Sequence, residues 1–533
     1  MLVKILLIFR TIVHLKFIQV YYQVWYRVKS YFIHWNKFEK YIDSSIHSVN
    51  TETAQILIVS NDKLKAPSSF LFLNLYKEFN NKIDWAFSDY GKLWNYNLQY
   101  FDFLMDDAVK DEYKIAIIND FCLSLKNKSI SLEPYPVSLR LVNWIIYASK
   151  KNYTSPFFTK TLKNQIDYLE QNLEFHIQAN HLLENYIALC FSGLAMKDNG
   201  MVQKYLFEIK KQLKGQVLND GGHYECSPMY HNIILSKLLL IYDACIKNMS
   251  PIEDISWLKM YISKMFGWLN SFEFSNGTLA NFNDATFDIA TSIKNLKTAA
   301  EILQIDCNKN SILSDSGYRK LKQGELELLM DIGDIKPSFQ PGHAHSDMLS
   351  FCLSFSDKNI IVDPGVSTYQ PGKQRILERS TSAHNTVTIN RENQSEVWGS
   401  FRVGKRAQIN IVHDTTEEIS ASHNGYYHKY RIHHCRTVSK KGNGFLIFDN
   451  MIGSANNSNE IEARFYLNHN LSSIIKYEES KVVVDNKISF SFEGATNIQL
   501  LEYKLPLGYN VFENANCICV KFSKQLTTTI SLS

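Results

Sequence analysis

The chain changes its hydrophobic period once. Between about residues 90 and 310, apolar positions recur at i, i+3, i+4 and i+7, in segments such as VSLRLVNWIIYASKK, HLLENYIALCFSGLAMK and HNIILSKLLLIYDACIK. That spacing lays one apolar stripe along an α-helix. Short polar breaks separate the segments, so the stretch reads as many consecutive helices in a bundle, toroid or solenoid. No fixed sequence period runs through it, which argues against a strict repeat array. From near residue 317 the segments are short and rich in β-branched and aromatic residues, as in ELELLMDIG, LSFCLSFSD, NIIVDPG, NTVTIN, GFLIFDN and TTTISLS. Gly, Asn, Asp and Pro punctuate them, the texture of an all-β sandwich of antiparallel sheets. The expected fold class is therefore α+β and multidomain, with its main boundary in NSILSDSGYR near residue 315. We divide the chain into an N-terminal segment (1–85), a helical domain (86–315) and a β domain (316–533).

The N-terminal segment is harder to read. Its first 30 residues mix apolar positions with Lys4, Arg10, Lys16, Arg27 and Lys29. Arg10 interrupts the apolar run and no small-residue cleavage site follows, so a secretory signal is not expected. Nor is there an uninterrupted apolar run of about 18 residues, as a spanning helix requires. The pattern predicts a basic amphipathic helix that packs on the body of the protein or makes peripheral contact with a membrane. Further on, ILIVSND reads as a candidate strand.

Composition narrows the class. With 45% hydrophobic and 21% charged residues in 533, the chain is not globally disordered. A formal charge of +4 neither demands nor excludes a polyanionic partner, because local charge in a cleft decides that. No nucleic-acid partner is expected, and oligomeric state is open. Nine cysteines stand singly apart from Cys517 and Cys519, with no CxxC pair, so neither a cysteine zinc site nor a disulfide framework is expected.

Four polar clusters interrupt these patterns. The first is NHLLEN, in which His181 and Glu184 share a helix face and Asn180 is a candidate N-cap. The second is DGGHYECSPMYH, which runs from a glycine turn into a helix and carries His223, Glu225, Tyr230 and His231. The third is QPGHAHSDMLSF, in which His343 and His345 project to one side of an extended chain. Asp363 in IIVDPG and His384 in SAHNTV follow on the next segments, so one carboxylate and two imidazoles could gather a zinc ion. The fourth, NGTLANFND, holds Asn283 and Asp284 in a polar loop that either binds sugar or simply turns the chain.

At these residues the chain resembles bacterial heparinase II/III family proteins. NHLLEN, GGHYECSPMYH, FNDA, PGHAHSDMLSF, IIVDPGVSTY and RSTSAHNTV look like that family's successive signatures, in order. WNYNLQYFDFL and EPYPVSLRLVNWI resemble its N-terminal part. The resemblance implies an incomplete (α/α) toroid followed by an antiparallel β-sandwich, with the active site between them. It implies lyase chemistry on an acidic, uronate-containing polysaccharide. Carried over residue by residue, Asn180 or His181 sits at the substrate carboxylate with Glu184 beside it. Tyr230 is the acid/base and His343 the base. Glu225, His231, Asn283 and Asp284 bind substrate, and His345, Asp363 and His384 hold a structural Zn2+.

The residue types suit β-elimination. The C5 proton is too weakly acidic until the adjacent carboxylate is neutralised, which Asn180 or protonated His181 can do by donating hydrogen bonds. A neutral imidazole can take the proton, and a phenol can protonate the departing C4 oxygen. A glycoside hydrolase is the main alternative and needs two carboxylic acids across the scissile bond, with Glu184, Glu225 and Asp284 as candidates. A non-catalytic glycan-binding protein of the same fold is the second. The motifs carry no Arg/Lys cluster for sulfate, which argues against a heparin-like substrate. A bacterial, cytoplasmic or membrane-peripheral location is expected, in surface-polysaccharide metabolism, with the periplasm or envelope as the alternative.

Overall fold

The computed structural model describes residues 2–32, 45–60, 62–80, 82–249, 254–453, 459–476 and 480–532. Helices run from Lys92–Tyr100 to Ile293–Ile302, and antiparallel strands follow from Tyr318 to Leu532. The fold class is the expected one.

Local chemistry starts the helices where the sequence places them. Ser155, Asp198, Ser227 and Ser292 each accept the backbone N–H three residues on. Such caps satisfy one of the N–H groups that a helix start leaves unpaired. Pro156 and Pro228 follow two of these caps at the first helical position, where a missing N–H costs nothing. Asn152 and Lys197 close two helices in the left-handed conformation. The helix Ala179–Met196 packs against Asn199–Gln216, Pro134–Lys151 and Pro228–Asn248. Pro228–Asn248 is long and apolar enough to cross a membrane, but 83% of its apolar window is buried in this core.

A four-stranded antiparallel sheet joins the two halves. Its strands are Tyr318–Gln323, Leu326–Asp331, Phe351–Phe355 and Lys358–Ile361, each paired with the next. Leu326–Asp331 is buried along its whole length. Its alternate residues serve two cores: Leu329 and its partner Cys352 pack with the helices, while Leu328, Met330 and Leu353 pack with the other strands. The period of two thus glues one domain to the other. Beyond it lies a ten-stranded sheet built around the long hairpin Ile488–Gly508 and Val511–Leu532.

Two points differ from the sequence reading. ILIVSND is not a strand: Ala54–Leu57 forms a helical turn. Asp243 fixes it, since one carboxylate oxygen accepts the N–H groups of Glu52 and Thr53 and the Thr53 hydroxyl. The N-terminus forms two helices rather than one, α1 (Leu2–Ile12) and α2 (Phe17–Phe32). Their axes bend by 117°. Both rest on the body of the protein. Arg10 pairs with Glu396 at 2.7 Å, the Trp398 indole donates to Thr11 Oγ1, and Gln19 donates to Gln340 and to the Ile177 carbonyl.

Candidate active site

The two halves meet at a loop that each of them needs. Residues 283–285 belong to the helical half, and the Asp284 N–H donates to the His343 carbonyl. Val366 donates to the Ala285 carbonyl, and the chain closes there because residue 365 is glycine. Gly365 has φ +65°, and a Cβ on it would lie 2.3 Å from that same carbonyl oxygen.

Asp284 is the hub. It is fully buried, and Arg375 grips it with both terminal nitrogens, Nη2 to Oδ2 at 2.6 Å. His343 Nδ1 lies 2.8 Å from Oδ2 and His345 Nε2 2.8 Å from Oδ1. Burial alone would raise this carboxyl, but the Arg375 guanidinium and the two imidazoles hold it well below the usual carboxylate range. An ionised carboxylate only accepts hydrogen bonds. His343 therefore carries its proton on Nδ1 and keeps a lone pair on Nε2. The same logic puts the His345 proton on Nε2 and a lone pair on Nδ1.

Tyr230 faces His343 from the helical side, with ring centroids 4.0 Å apart. Its position follows from the cap: Ser227 Oγ accepts the Tyr230 N–H and donates to the Asp284 carbonyl. The Tyr230 hydroxyl lies 3.2 Å from that of Tyr369. Burial first, then the charge of neighbouring acidic groups, pushes the Tyr230 phenol well above its ordinary value. It is thus a neutral proton donor.

In the helical half, His181 packs on the Tyr135 ring at 4.2 Å and its Nδ1 is 3.0 Å from Glu174 Oε1. Burial works to lower His181, but the charge and hydrogen bond of Glu174, with Glu225 and Glu184 behind, raise it overall. Glu184 and Glu225 are buried, each with an oxygen that lacks a hydrogen-bond partner, and burial raises both. Glu225 senses the charge of both His343 and His181. Asn180 is buried beside them but is not the helix cap: the helix begins at Ala179, with Gln178 as N-cap.

Three residues expected at the substrate have other duties. His231 Nε2 donates to the Met265 carbonyl, Nδ1 accepts from the His223 N–H, and its ring stacks on Trp268 at 4.3 Å. Burial pushes it down to about 3, so it is a neutral core histidine. Asn283 donates to the Cys226 carbonyl and accepts from the His345 N–H, bracing one half against the other. Asp284 positions the histidines and has no surface to offer a sugar.

Behind His345 lies a second group. Asp347, Asp363 and His384 bring one ligand atom each within 4.8 Å of one another. His384 Nδ1 is 2.8 Å from Asp363 Oδ2. His345 stands beside this group rather than in it, its ring 5.2 Å from that of His384. His345 Nδ1, His384 Nε2 and Asp347 Oδ2 are all buried without a hydrogen-bond partner. Burial, with the nearby Asp363 charge, raises Asp347 to about 6. Buried orphan acceptors and crowded carboxylates are what a divalent cation relieves, so these residues fit one.

Sequence reasoning missed Glu174, Asp347, Tyr369 and Arg375. Asp347 and Tyr369 lie inside motifs already singled out, HSDM and VSTY, but nothing in their spacing marked them. Arg375, in KQRILERS, reads as an ordinary helix cation.

Similarity to known proteins covers both halves of the chain. Residues 137–308 match the heparinase II/III N-terminus model and residues 310–532 the heparinase II/III-like C-terminal model. A heparin-sulfate lyase of Bacteroides stercoris is 25% identical over 404 residues, covering 68% of this chain and 58% of the relative. A heparin-sulfate lyase of Pedobacter heparinus is 25% identical over 373 residues, covering 63% and 54%. The chain thus spans less than two thirds of the length of these curated relatives. Among solved structures, heparinase III superposes with a TM-score of 0.67 at 15% identity, covering 97% of this chain and 91% of that one. Heparan sulfate lyase HepC from Pedobacter heparinus gives 0.57 at 18% identity, covering 96% and 87%. On these matches, and on the order of its two domains, the chain belongs to the heparinase II/III family.

Proposed function

We propose that the protein is a polysaccharide lyase that cleaves a uronate-containing glycan by β-elimination. The observation that carries this reading is the opposition of Tyr230 and His343 across the domain junction, ring to ring at 4.0 Å. His343 Nε2 accepts the C5 proton, with Asp284 holding the ring and its tautomer. Tyr230, kept neutral by burial, protonates the C4 oxygen as the bond breaks. His181, whose protonated form Glu174 favours, and the Asn180 amide neutralise the uronate carboxylate as charge develops. Neither half supplies this set alone.

The hydrolase reading needs one free ionised carboxylate and one acid. Asp284 is ionised but held by Arg375, and burial raises both Glu184 and Glu225. A carboxylate held in that way is not a free base, and burial works against ionising the other two, so elimination is favoured. Buried Glu184 and Glu225 accompany this set, with the charge of Lys237 acting on Glu184, and Arg375 is occupied by Asp284. A lightly sulfated or unsulfated glycan fits better than a heavily sulfated one. Both curated relatives come from bacteria. A role in bacterial surface-polysaccharide metabolism, at the cytoplasmic membrane, is the setting we favour.

A zinc-sized ion is proposed on Asp347, Asp363 and His384, with the His345 Nδ1 lone pair beside it. When bound it supplies fixed positive charge that holds the strand ends, and so the loop carrying His343, in place. It takes no part in the reaction.

The test is ultraviolet absorbance. Elimination leaves a C4=C5 double bond conjugated to the carboxylate, whereas hydrolysis does not. Wild-type protein should generate absorbance from a uronate oligosaccharide, and Tyr230→Phe should reduce the rate by about 10²–10⁴-fold. Cleavage without absorbance would sink the lyase reading.

A further inference from the structure

The N-terminal helices are packed inside out. On α2 the side against the protein is polar or aromatic: Gln19 is buried, Tyr22 packs on Phe175 at 4.6 Å, Tyr26 donates to the Leu173 carbonyl, and Lys29 donates to the Gln171 carbonyl. The opposite side is Phe17, Val20, Tyr21, Val24, Trp25 and Val28, all exposed, Phe17 at 84%. On α1, Arg10 and Thr11 make the contacts with the body, while Ile5, Ile8 and Ile12 face outward. A helix on a soluble domain shows the reverse arrangement. Thirteen of the 33 exposed large apolar side chains among the described residues fall between positions 5 and 28. A patch this concentrated marks an interaction surface.

Charge identifies the occupant. Residues 1–38 contain Lys4, Arg10, Lys16, Arg27, Lys29 and Lys37 and no Asp or Glu. Beneath α1 lies a cavity of about 510 Å³ whose lining includes Phe9 and Val13, the cations Lys405 and Arg406, Arg10 already paired with Glu396, and one acidic residue, Asp334. Arg406 Nε is buried there without a hydrogen-bond partner. Exposed aliphatic residues, an interfacial Trp and Tyr, uniform positive charge and a cationic recess describe a lipid-facing surface with negative headgroups.

We propose that α1 and α2 dock the protein on the surface of an anionic lipid bilayer, their outward faces in the interface and Lys405 and Arg406 of the recess on a headgroup phosphate. The docking would also place the cleft. Gln19 bridges Ile177 and Gln340, three residues before Asn180 and His343 respectively, so the helices lie along the cleft's edge. The glycan would be worked on beside the membrane. This inference does not depend on the lyase reading.

Flotation of the full chain with vesicles tests it without any enzyme assay. The protein should float with phosphatidylglycerol–phosphatidylethanolamine vesicles, far less with phosphatidylcholine alone, and salt should weaken it. Each basic residue near an anionic surface adds roughly fivefold to partitioning, so Lys4→Glu/Lys405→Glu should lose at least about tenfold. Phe17→Glu/Val24→Glu should abolish flotation with an unchanged melting temperature, since neither side chain faces the body. Wild-type protein that floats with neither vesicle overturns the proposal. So does flotation that survives alkaline carbonate, which would mean a spanning segment. A vesicle-free dimer that Phe17→Glu/Val24→Glu converts to monomer would assign the face to a second copy and likewise overturn it.

Discussion

The β half contains a second histidine–aspartate–arginine triad, and it is a useful control for the first. His434 Nε2 lies 2.7 Å from Asp449 Oδ1, and Arg436 grips the same carboxylate at 2.8 and 3.1 Å. His343, Asp284 and Arg375 make the same set. In both, burial would raise the carboxyl and the arginine outweighs it, bringing Asp449 down to about 2. The difference is the far side of the imidazole. His434 Nδ1 accepts from His423 Nε2 at 3.3 Å, and His423 Nδ1 accepts from the Gly425 N–H. Every ring nitrogen there is satisfied and nothing reaches solvent. His343 remains 15% exposed, faces Tyr230, and its Nε2 makes no hydrogen bond among the described residues. A triad becomes a base only when one lone pair is left pointing into a cleft.

The largest expected effect separates the two triads by rate. His343→Ala should lower the rate of absorbance formation by about 10²–10⁴-fold with little change in melting temperature. His434→Ala should leave the specific activity of folded protein near wild type and lower its stability. Equal losses of activity per folded molecule would break the comparison, because they would mean that the base is not confined to the junction.

This contrast also shows what the sequence could and could not say. The change of period near residue 315 was legible because helices and strands need different apolar spacings. His343 and Tyr230 were legible as dense polar clusters where a loop meets a helix or strand. Direction was not. Tyr230 and His231 are neighbours in one motif, yet a helix turns them about 100° apart. One ring therefore meets His343 and the other Trp268. Asn283 and Asp284 looked like sugar ligands because a polar loop does not announce that its side chains point inward. Arg375 was invisible because its role exists only once Asp284, 91 residues away in sequence, is brought to it. In α1 and α2 the basic amphipathic pattern was read, but not which face would be turned outward.

Stability should show where the triads are alike. Asp284→Asn and Asp449→Asn each leave a buried guanidinium without its counter-charge, and breaking such a pair costs about 3–5 kcal/mol. Chemical denaturation should find similar losses in both. Only Asp284→Asn should also impair the turnover of the folded fraction, since Asn can donate to His343 Nδ1 and favour the wrong tautomer. A loss confined to one of the two variants would show that the carboxylates are not equivalent struts. A smaller effect is expected from chelation. If Asp347, Asp363 and His384 hold a divalent ion, removing it should lower the melting temperature, and zinc at a hundred times its Kd should restore about 2.7 kcal/mol. The His434 triad has no such neighbour, so His434→Ala should not alter the response. No response to chelator or zinc would leave the orphan nitrogens of His345 and His384 without the ion proposed for them.

The smallest effect is a change in the shape of the pH profile rather than its height, and it tests the cleft's other histidine. His181 differs from both triad histidines because its partner, Glu174, favours its charged form. Its folded-state value is raised above the ordinary 6.5, with burial opposing and Glu174 prevailing. The stabilisation from the protonated pair is therefore fully present below 6.5 and is lost as pH rises through the raised value. If His181 must be protonated to neutralise the uronate, kcat/KM falls on the same alkaline side. Glu174→Gln removes the charge that raises His181 and leaves the burial that lowers it. The alkaline limb should then move to lower pH, and the acid limb, set by the requirement for a neutral base, should stay where it is. An unchanged alkaline limb in Glu174→Gln would assign carboxylate neutralisation to Asn180 alone. Movement of both limbs together would mean that the substitution disturbs more of the site than the charge on His181.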